Sequence, residues 1–400
     1  MTLIPLDAPV PAALADELAK RVYFVSDRIT DFTLIRSGDT VTAVDVTTQD
    51  AATADLDALT RKLHLVVAND VLSQRQVRPK VVWRSAEGGP VRDVFPELLA
   101  RGVAAELGEG QIALGEPVLS LMDHLDAEIR ALVLEEFDAH EFRYPTLMSA
   151  PALRRTGYFD SFPQLLMLVS RLHGDVDTYR AFRDTLTQGD GGGEDAALAA
   201  ALSEHTGTVD HVLPPTMCFH TYHQYADGPP PGPNTVVTSR GKSFRYESRY
   251  RRSLERLWDF TIREIVFLGT PGFVLASRAR LMERAYALTE SLGLGGRCEV
   301  AGDPFFLHES AAVRAWSQRL LEMKYELRLP LDDERDVAVG SFNYHEQFFG
   351  TSFGIHDADQ QPVFTGCAGF GLERLTYAFL CRHGVDPARW PAHVRKAVAR

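Results

Sequence analysis

Apolar and polar positions alternate over short runs in the first fifty residues. RVYFVSD (21–27), DFTLIRSG (31–38) and TVTAVDVTT (40–48) read as strands with turn residues between them. In DLDALTRKLHLVVANDVL (55–72) the period changes: Leu56, Leu59, Leu63, Val66 and Val67 recur at helical spacing. KVVWRS (80–85) returns to a strand pattern. The sequence thus predicts a small accessory α/β unit over residues 1–105, with no ligand spacing among its scattered polar residues. From about residue 106 the character differs. SLMDHLDAEIRALVLEEF (120–137) carries Leu121, Leu125, Ile129, Leu132 and Phe137 along one side of a long amphipathic helix. Tyr144 must be extended because it precedes Pro145. Residues 174–210 read as a polar helical insertion around GDGGG, a flexible joint, and ADGPPPGPN (226–234) as a stiffer loop.

The second half alternates strands and helices. FRYES (244–248), DFTIREIVFLG (259–269), RCEVA (297–301), YELRLPL (325–331) and DVAVGSFNY (336–344) are expected strands. LASRARLMERAYALTESLGL (275–294), AAVRAWSQRLLEMK (311–324) and LERLTYAFLCRHG (372–384) are expected helices. Strands with charge on one face suggest an antiparallel sheet lined by a polar site, so the expected class is α+β, with a main domain over residues 106–400.

Composition adds limits. The 400 residues are 45% hydrophobic and 24% charged, enough to bury a core without disulfides, and long enough for two domains. Cys218, Cys298, Cys367 and Cys381 are too few for a disulfide framework. No opening basic-then-apolar stretch reads as a signal peptide, and no apolar run approaches a membrane span, so a cytoplasmic protein is expected. A net charge of −12 disfavours a surface coated for nucleic acid. The local run SRGKSFRYESRYRRSLER (239–256) is nevertheless rich in Arg, and beside its neighbours it reads as a phosphate site.

If SFRYES is a strand, Arg245 and Glu247 share a face, as do Phe260 and Glu264 on the next strand. Arginine suits a phosphate through bidentate bonds, and phenylalanine suits stacking on a flat base. An R-x-E alone is more often a cross-strand ion pair. GCAGFGLER (366–374) strengthens the reading: Gly369 and Gly371 lie where a strand turns into a helix, and Arg374 lies in its first turn. A helix start offers free N–H groups and a positive dipole end to an anion.

In this order the three segments resemble the catalytic core of the class II aminoacyl-tRNA synthetases, over roughly residues 106–400. The helix before Pro145 matches the first motif of that family, FRYE through Glu264 the second and GFGLER the third. The resemblance implies that Arg245 holds the α-phosphate of ATP, Phe260 and Glu247 the adenine, and Arg374 the γ-phosphate. It also implies a homodimer.

Within that frame Cys218, Glu264 and Cys367 offer zinc three ligands and leave a fourth position open, the arrangement of a catalytic site. His220 competes as a ligand if it shares a strand face with Cys218, while His223 points away. Cys298 and Cys381 read as buried apolar residues. The Cys/Glu/Cys set resembles that of the zinc-dependent seryl-tRNA synthetases of methanogens. TGCAGFGLERL, SFNYHEQFFG, DPFF and YELRLP more closely resemble their relatives, the amino acid–carrier protein ligases. This likeness implies that zinc binds the amino group of glycine or alanine. ATP then forms the aminoacyl adenylate, and the phosphopantetheine thiol of an acidic carrier protein takes the acyl group. Residues 1–105 match nothing in those ligases. Asn343 matches an amino-acid-site position loosely. Magnesium is expected with ATP, but its ligands are unassigned, Asp336 lying slightly out of register. Arg314, Arg319 or Lys324 would offer the carrier a local basic face. The alternatives are a seryl-type synthetase, which the acidic charge disfavours, and a non-catalytic relative, which the presence of Arg245 and Arg374 disfavours.

Overall fold

The computed structural model describes residues 2–49, 55–73, 80–86, 88–172, 174–187, 194–247, 253–302 and 321–398. Strands β1 (Thr2–Pro11), β2 (Ile29–Ser37) and β3 (Thr40–Thr48) form an antiparallel sheet in the order β1-β3-β2. β1 carries Pro5, Pro9 and Pro11, which argue against a strand in sequence; at a sheet edge the missing N–H groups cost nothing. The helices Ala15–Val22 and Leu56–Val66 pack on this sheet through Leu18, Val22, Leu63 and Val66. RVYFVSD is therefore not a strand. Its first residues end the helix Ala15–Val22, because Leu18, Ala19 and Val22 recur at helical spacing and are fully buried.

Among the described residues the main sheet has eight strands in the order β4-β13-β14-β15-β16-β12-β11-β7. They are β4 (Val81–Arg84), β7 (His140–Phe142), β11 (Thr235–Phe244), β12 (Asp259–Gly269), β13 (Arg297–Val300), β14 (Lys324–Pro330), β15 (Asp336–Glu346) and β16 (Phe364–Gly371). All neighbours are antiparallel except β7 and β11. The remaining strands are the hairpin β5 (Ala104–Gly108) and β6 (Gln111–Leu114), and the small sheet of β8 (Met148–Ser149), β9 (Met167–Val169) and β10 (His211–Leu213). Helices Val176–Thr187 and Glu194–His205 supply the predicted insertion; GDGGG between them lies outside the described residues. The predicted helix at 311–324 and DPFF lie largely outside them as well. No helix among the described residues is long and apolar enough to cross a membrane.

Residues 81–105 pack with the larger body, inside the span that sequence assigns to the accessory unit. β4 pairs with β13, Trp83 stacks on Tyr286 at 4.5 Å, and Val94, Phe95 and Leu98 join the core of the main sheet. That core also takes Leu121, Leu125, Ile129 and Val133 from the helix Val118–Phe137 against Ile265, Phe267 and Phe370 of the sheet. On the opposite sheet face Val266, Leu268 and Cys367 meet Phe219, Tyr222, Phe349 and Phe353. β12 is thus buried on both faces, which is why IVFLG runs apolar without alternation.

One buried ion pair ties the long helix to the sheet. Arg263 is 2% exposed; its Nε and Nη2 donate to the two oxygens of Asp126 at 2.7 and 2.8 Å, and its Nη1 to Glu141 at 3.0 Å. Arg263→Ala strands Asp126 without its main partner in a low-dielectric interior. The expected loss is about 3–5 kcal/mol in chemical denaturation, with the slope of the transition unchanged.

Candidate active site

β12 places Glu264 mid-sheet, opposite Gly369 of β16. A Cβ on Gly369 would lie 3.3 and 3.5 Å from the Glu264 carboxylate oxygens and 2.7 Å from Ile262 Cδ1, so this position needs a glycine to leave the carboxylate room. Cys367 pairs across the sheet with Val266 and Asn343, which puts Cys367, Asn343 and Glu264 on one face. Cys218 comes from elsewhere. It is not strand-borne but is the first residue of the helix Cys218–Gln224. One ligand atom from each of Cys218, Glu264 and Cys367 lies within 4.8 Å of the others, and all three residues are buried.

The same helix removes His220 from the set. Two residues along a helix point to nearly opposite sides, unlike a strand. The His220 ring stacks on Tyr144 at 5.4 Å, and burial, with His223 nearby, holds its pKa down at about 4.

The cluster is short of positive charge. Burial raises Glu264 to about 7, against the opposing bond from Thr216 Oγ1, which donates to it at 2.9 Å. Cys367 is held well above its usual range by its bond to Cys218 and by burial, and burial also raises Cys218. Three buried acids that resist ionisation together are what a divalent cation would neutralise, because the metal takes the place of their protons. Two thiols and one carboxylate fit zinc in particular, with room for a fourth ligand. Asn343 Nδ2 donates to Cys367 Sγ at 3.5 Å, so Asn343 borders the cluster.

Beside it lies a group of arginines. β11 ends at Phe244, so Arg245 and Glu247 are placed by the following turn and not by the pleat: Arg245 N–H donates to Trp258 O and Glu247 N–H to Arg245 O. Arg245 Nε donates to Pro215 O at 3.0 Å, and its guanidinium lies 5.2 Å from the Phe260 ring centroid. Arg374, in the first turn of the helix Leu372–His383, donates through Nε to Glu255 O at 2.8 Å. Burial, then the like charge of Arg256, pulls Arg374 down to about 10, which leaves it charged at neutral pH. Glu247 accepts from Arg256 Nη1 at 2.5 Å, and against burial the charges of Arg256, Arg245 and Arg374 hold it ionised. Three guanidinium groups act on the Glu247 carboxylate, with Glu326 also acting on Arg374, a set that suits an anionic ligand. Arg256 was not singled out in sequence. It sits in the Arg-rich run four residues before Phe260, with nothing in the spacing to separate it from the other arginines.

The loop is braced from a distance. Trp258 Nε1 donates to Glu247 O at 2.9 Å, and Trp258 N–H donates to Gly110 O in the β5–β6 turn. Gly110 has φ 61°, and a Cβ there would come within 2.3 Å of the Trp258 ring. Of the remaining candidates, Asp336 is engaged by Arg297 at 2.6 Å and Arg328 at 2.7 Å, so it presents no ready magnesium ligand. Lys324 lies in β14, 3.3 Å from Glu326 and largely buried, and does not belong to an exposed docking face. Arg314 and Arg319 lie outside the described residues.

A mainly antiparallel sheet backed by helices, with Arg374 at a strand-to-helix turn and Arg245 and Arg256 in the β11–β12 loop, fits the class II aminoacyl-tRNA synthetase fold. Seryl-tRNA synthetases share it. The enzyme of Methanopyrus kandleri, solved with the tRNASec of A. aeolicus, superposes with a TM-score of 0.71 at 23% identity, over 99% of this chain and 76% of that one. The cytoplasmic serine–tRNA ligase of Naegleria fowleri, solved with AMP, gives 0.62 at 12% identity, over 86% and 71%. No protein-family model matches the chain. Two Bradyrhizobium diazoefficiens proteins, amino acid–[acyl-carrier-protein] ligases 1 and 2, are 38% and 36% identical over 280 and 303 residues, covering 69% and 74% of this chain and 82% and 85% of theirs. The type-2 serine–tRNA ligase of Methanococcus aeolicus is 27% identical over 73% of this chain and 56% of its own. The chain belongs to the amino acid–[acyl-carrier-protein] ligase family and is a ligase.

Proposed function

We propose that the protein uses ATP to convert glycine or alanine to its aminoacyl adenylate, and passes the acyl group to the phosphopantetheine thiol of a carrier protein. The observation that carries this is the convergence of the buried Cys218, Glu264 and Cys367 beside Arg245, whose charge acts on Cys218 and Glu264 and, with Arg256 and Arg374, on Glu247. Cys218, Glu264 and Cys367 would hold zinc, which would supply a Lewis-acid site for the substrate's neutral amino group. An amino acid bound there would present its carboxylate to the phosphates. Arg245 takes the α-phosphate, Arg374 and Arg256 the terminal phosphates, and Phe260 and Glu247 the adenine. A carboxylate oxygen bonds to the α-phosphorus as pyrophosphate leaves. The carrier thiol then bonds to the acyl carbon, losing its proton, as AMP leaves. Asn343, His345 and Tyr222 already crowd the thiols, which favours a small amino acid.

The test supplies ATP with labelled glycine or alanine and either holo-carrier protein or total tRNA. Label is expected on the carrier thiol, and N-acetylglycine should support no pyrophosphate exchange. Label moving only to tRNA, in an alkali-labile ester, overturns the carrier reading in favour of a seryl-type synthetase. Serine is the natural competitor, since apolar walls reject an added hydroxyl by only about a hundredfold.

A further inference from the structure

His345 contacts Cys367 without being one of the proposed ligands. Its Nε2 lies 3.9 Å from Cys367 Sγ, and its Nδ1 lies 3.4 Å from the hydroxyl of Tyr222. Tyr222 is fully buried, four residues after Cys218 on the same helix, so one helical face carries both a thiol and the phenol. Phe349 fixes both partners: its ring stacks on Tyr222 at 4.3 Å and meets His345 edge-on at 4.8 Å. The backbone also departs from regular pairing here. The register of β15 against β16 shifts between Tyr344 and Glu346, and Glu346 takes φ 51°. Irregularities of this kind re-aim a side chain out of simple alternation.

We infer that His345, locked by Tyr222, is a positioning residue that donates an Nε2–H hydrogen bond to the Cys367 sulfur and so tunes the metal held there. This rests on the zinc reading of Cys218, Glu264 and Cys367. Tyr222 Oη–H donates to Nδ1, which leaves the ring proton on Nε2, facing the sulfur. With Asn343 Nδ2 at 3.5 Å, Cys367 then has two N–H donors. Hydrogen bonds to a thiolate stabilise it and reduce its electron donation, which leaves the metal a stronger acceptor for an amine. The helix that supplies one thiol thereby also orients the donor to the other.

The experiment uses the full-length protein loaded with cobalt(II) or zinc. Wild type should show sulfur-to-cobalt charge-transfer absorption that weakens in Cys367→Ser. If wild type binds no metal, or Cys367→Ser leaves that absorption intact, the zinc reading fails and this inference with it. If the metal site stands, His345→Leu should shift the charge-transfer band to lower energy and weaken zinc about 10–100-fold in a chelator competition. Tyr222→Phe keeps the packing but loses the hydroxyl, and should move both readouts the same way by less. His345→Gln retains an amide N–H and should recover part of both. An unmoved band and unchanged zinc affinity in a His345→Leu protein with wild-type circular dichroism would overturn the inference.

Discussion

Cys218→Ser or Cys367→Ser is expected to take the protein from about one zinc per chain to a small fraction of that, measured on native protein by elemental analysis. Three protein ligands are the fewest that hold catalytic zinc, so losing one thiolate leaves only two. The effect should exceed the roughly 10–100-fold typical of an outer-shell partner. Glycine-dependent pyrophosphate exchange should fall by more than about a hundredfold, because the substrate loses the contact that orients it. Cys298→Ser and Cys381→Ser should leave zinc unchanged, since both thiols belong to the apolar core behind the sheet. Removing the metal from wild type gives an independent sign. Glu264 rises from its usual 4.5 to about 7 in the folded, metal-free protein. Between those values the folded state holds a proton that the unfolded chain has released, so stripped protein loses stability as pH rises through that window. Zinc replaces that proton, so its affinity rises with pH over the same range. A stripped protein whose stability is flat across the window would contradict the burial argument.

Arg374→Ala should lower pyrophosphate exchange by about 10²–10³-fold, or about 3–4 kcal/mol, the usual cost of losing a fixed donor to transition-state charge. The side chain is half-buried and held by Glu255 O, so its charge is already in place before ATP arrives. A near-normal exchange rate would make Arg374 an ordinary residue of a helix start. Arg256→Ala should also reduce exchange, and should leave Glu247 with less of the positive charge that now keeps it ionised.

The main fold was legible because it rests on short-range rules, and the thiol–carboxylate set because its order along the chain resembles that of a known family. Helical spacing over residues 120–137 predicted the long helix, and strand alternation placed Phe260 and Glu264 on one side of β12. The glycines of GCAGFGLER marked a strand turning into a helix, with Arg374 in its first turn. The errors share a cause. CFHTYH carries no pattern that separates a short helix from a strand, and only packing of Phe219 and Tyr222 under the sheet makes it helical. That choice keeps Cys218 at the cluster and turns His220 toward Tyr144. The prolines of β1 concealed a strand that is permitted only because it lies at an edge.

The sequence by itself determined which residue types meet: two thiols, a carboxylate and arginines, in an order that a class II sheet brings to one face. The tertiary structure decided which of several equivalent candidates take part. Arg256 is brought in by its 2.5 Å bond to Glu247, and His345 by a register shift in β15 beside a phenol borne on another element. Such selection depends on contacts between residues nine to more than a hundred positions apart, and on the burial that makes an unbalanced charge costly. Neither leaves a local periodicity in the chain.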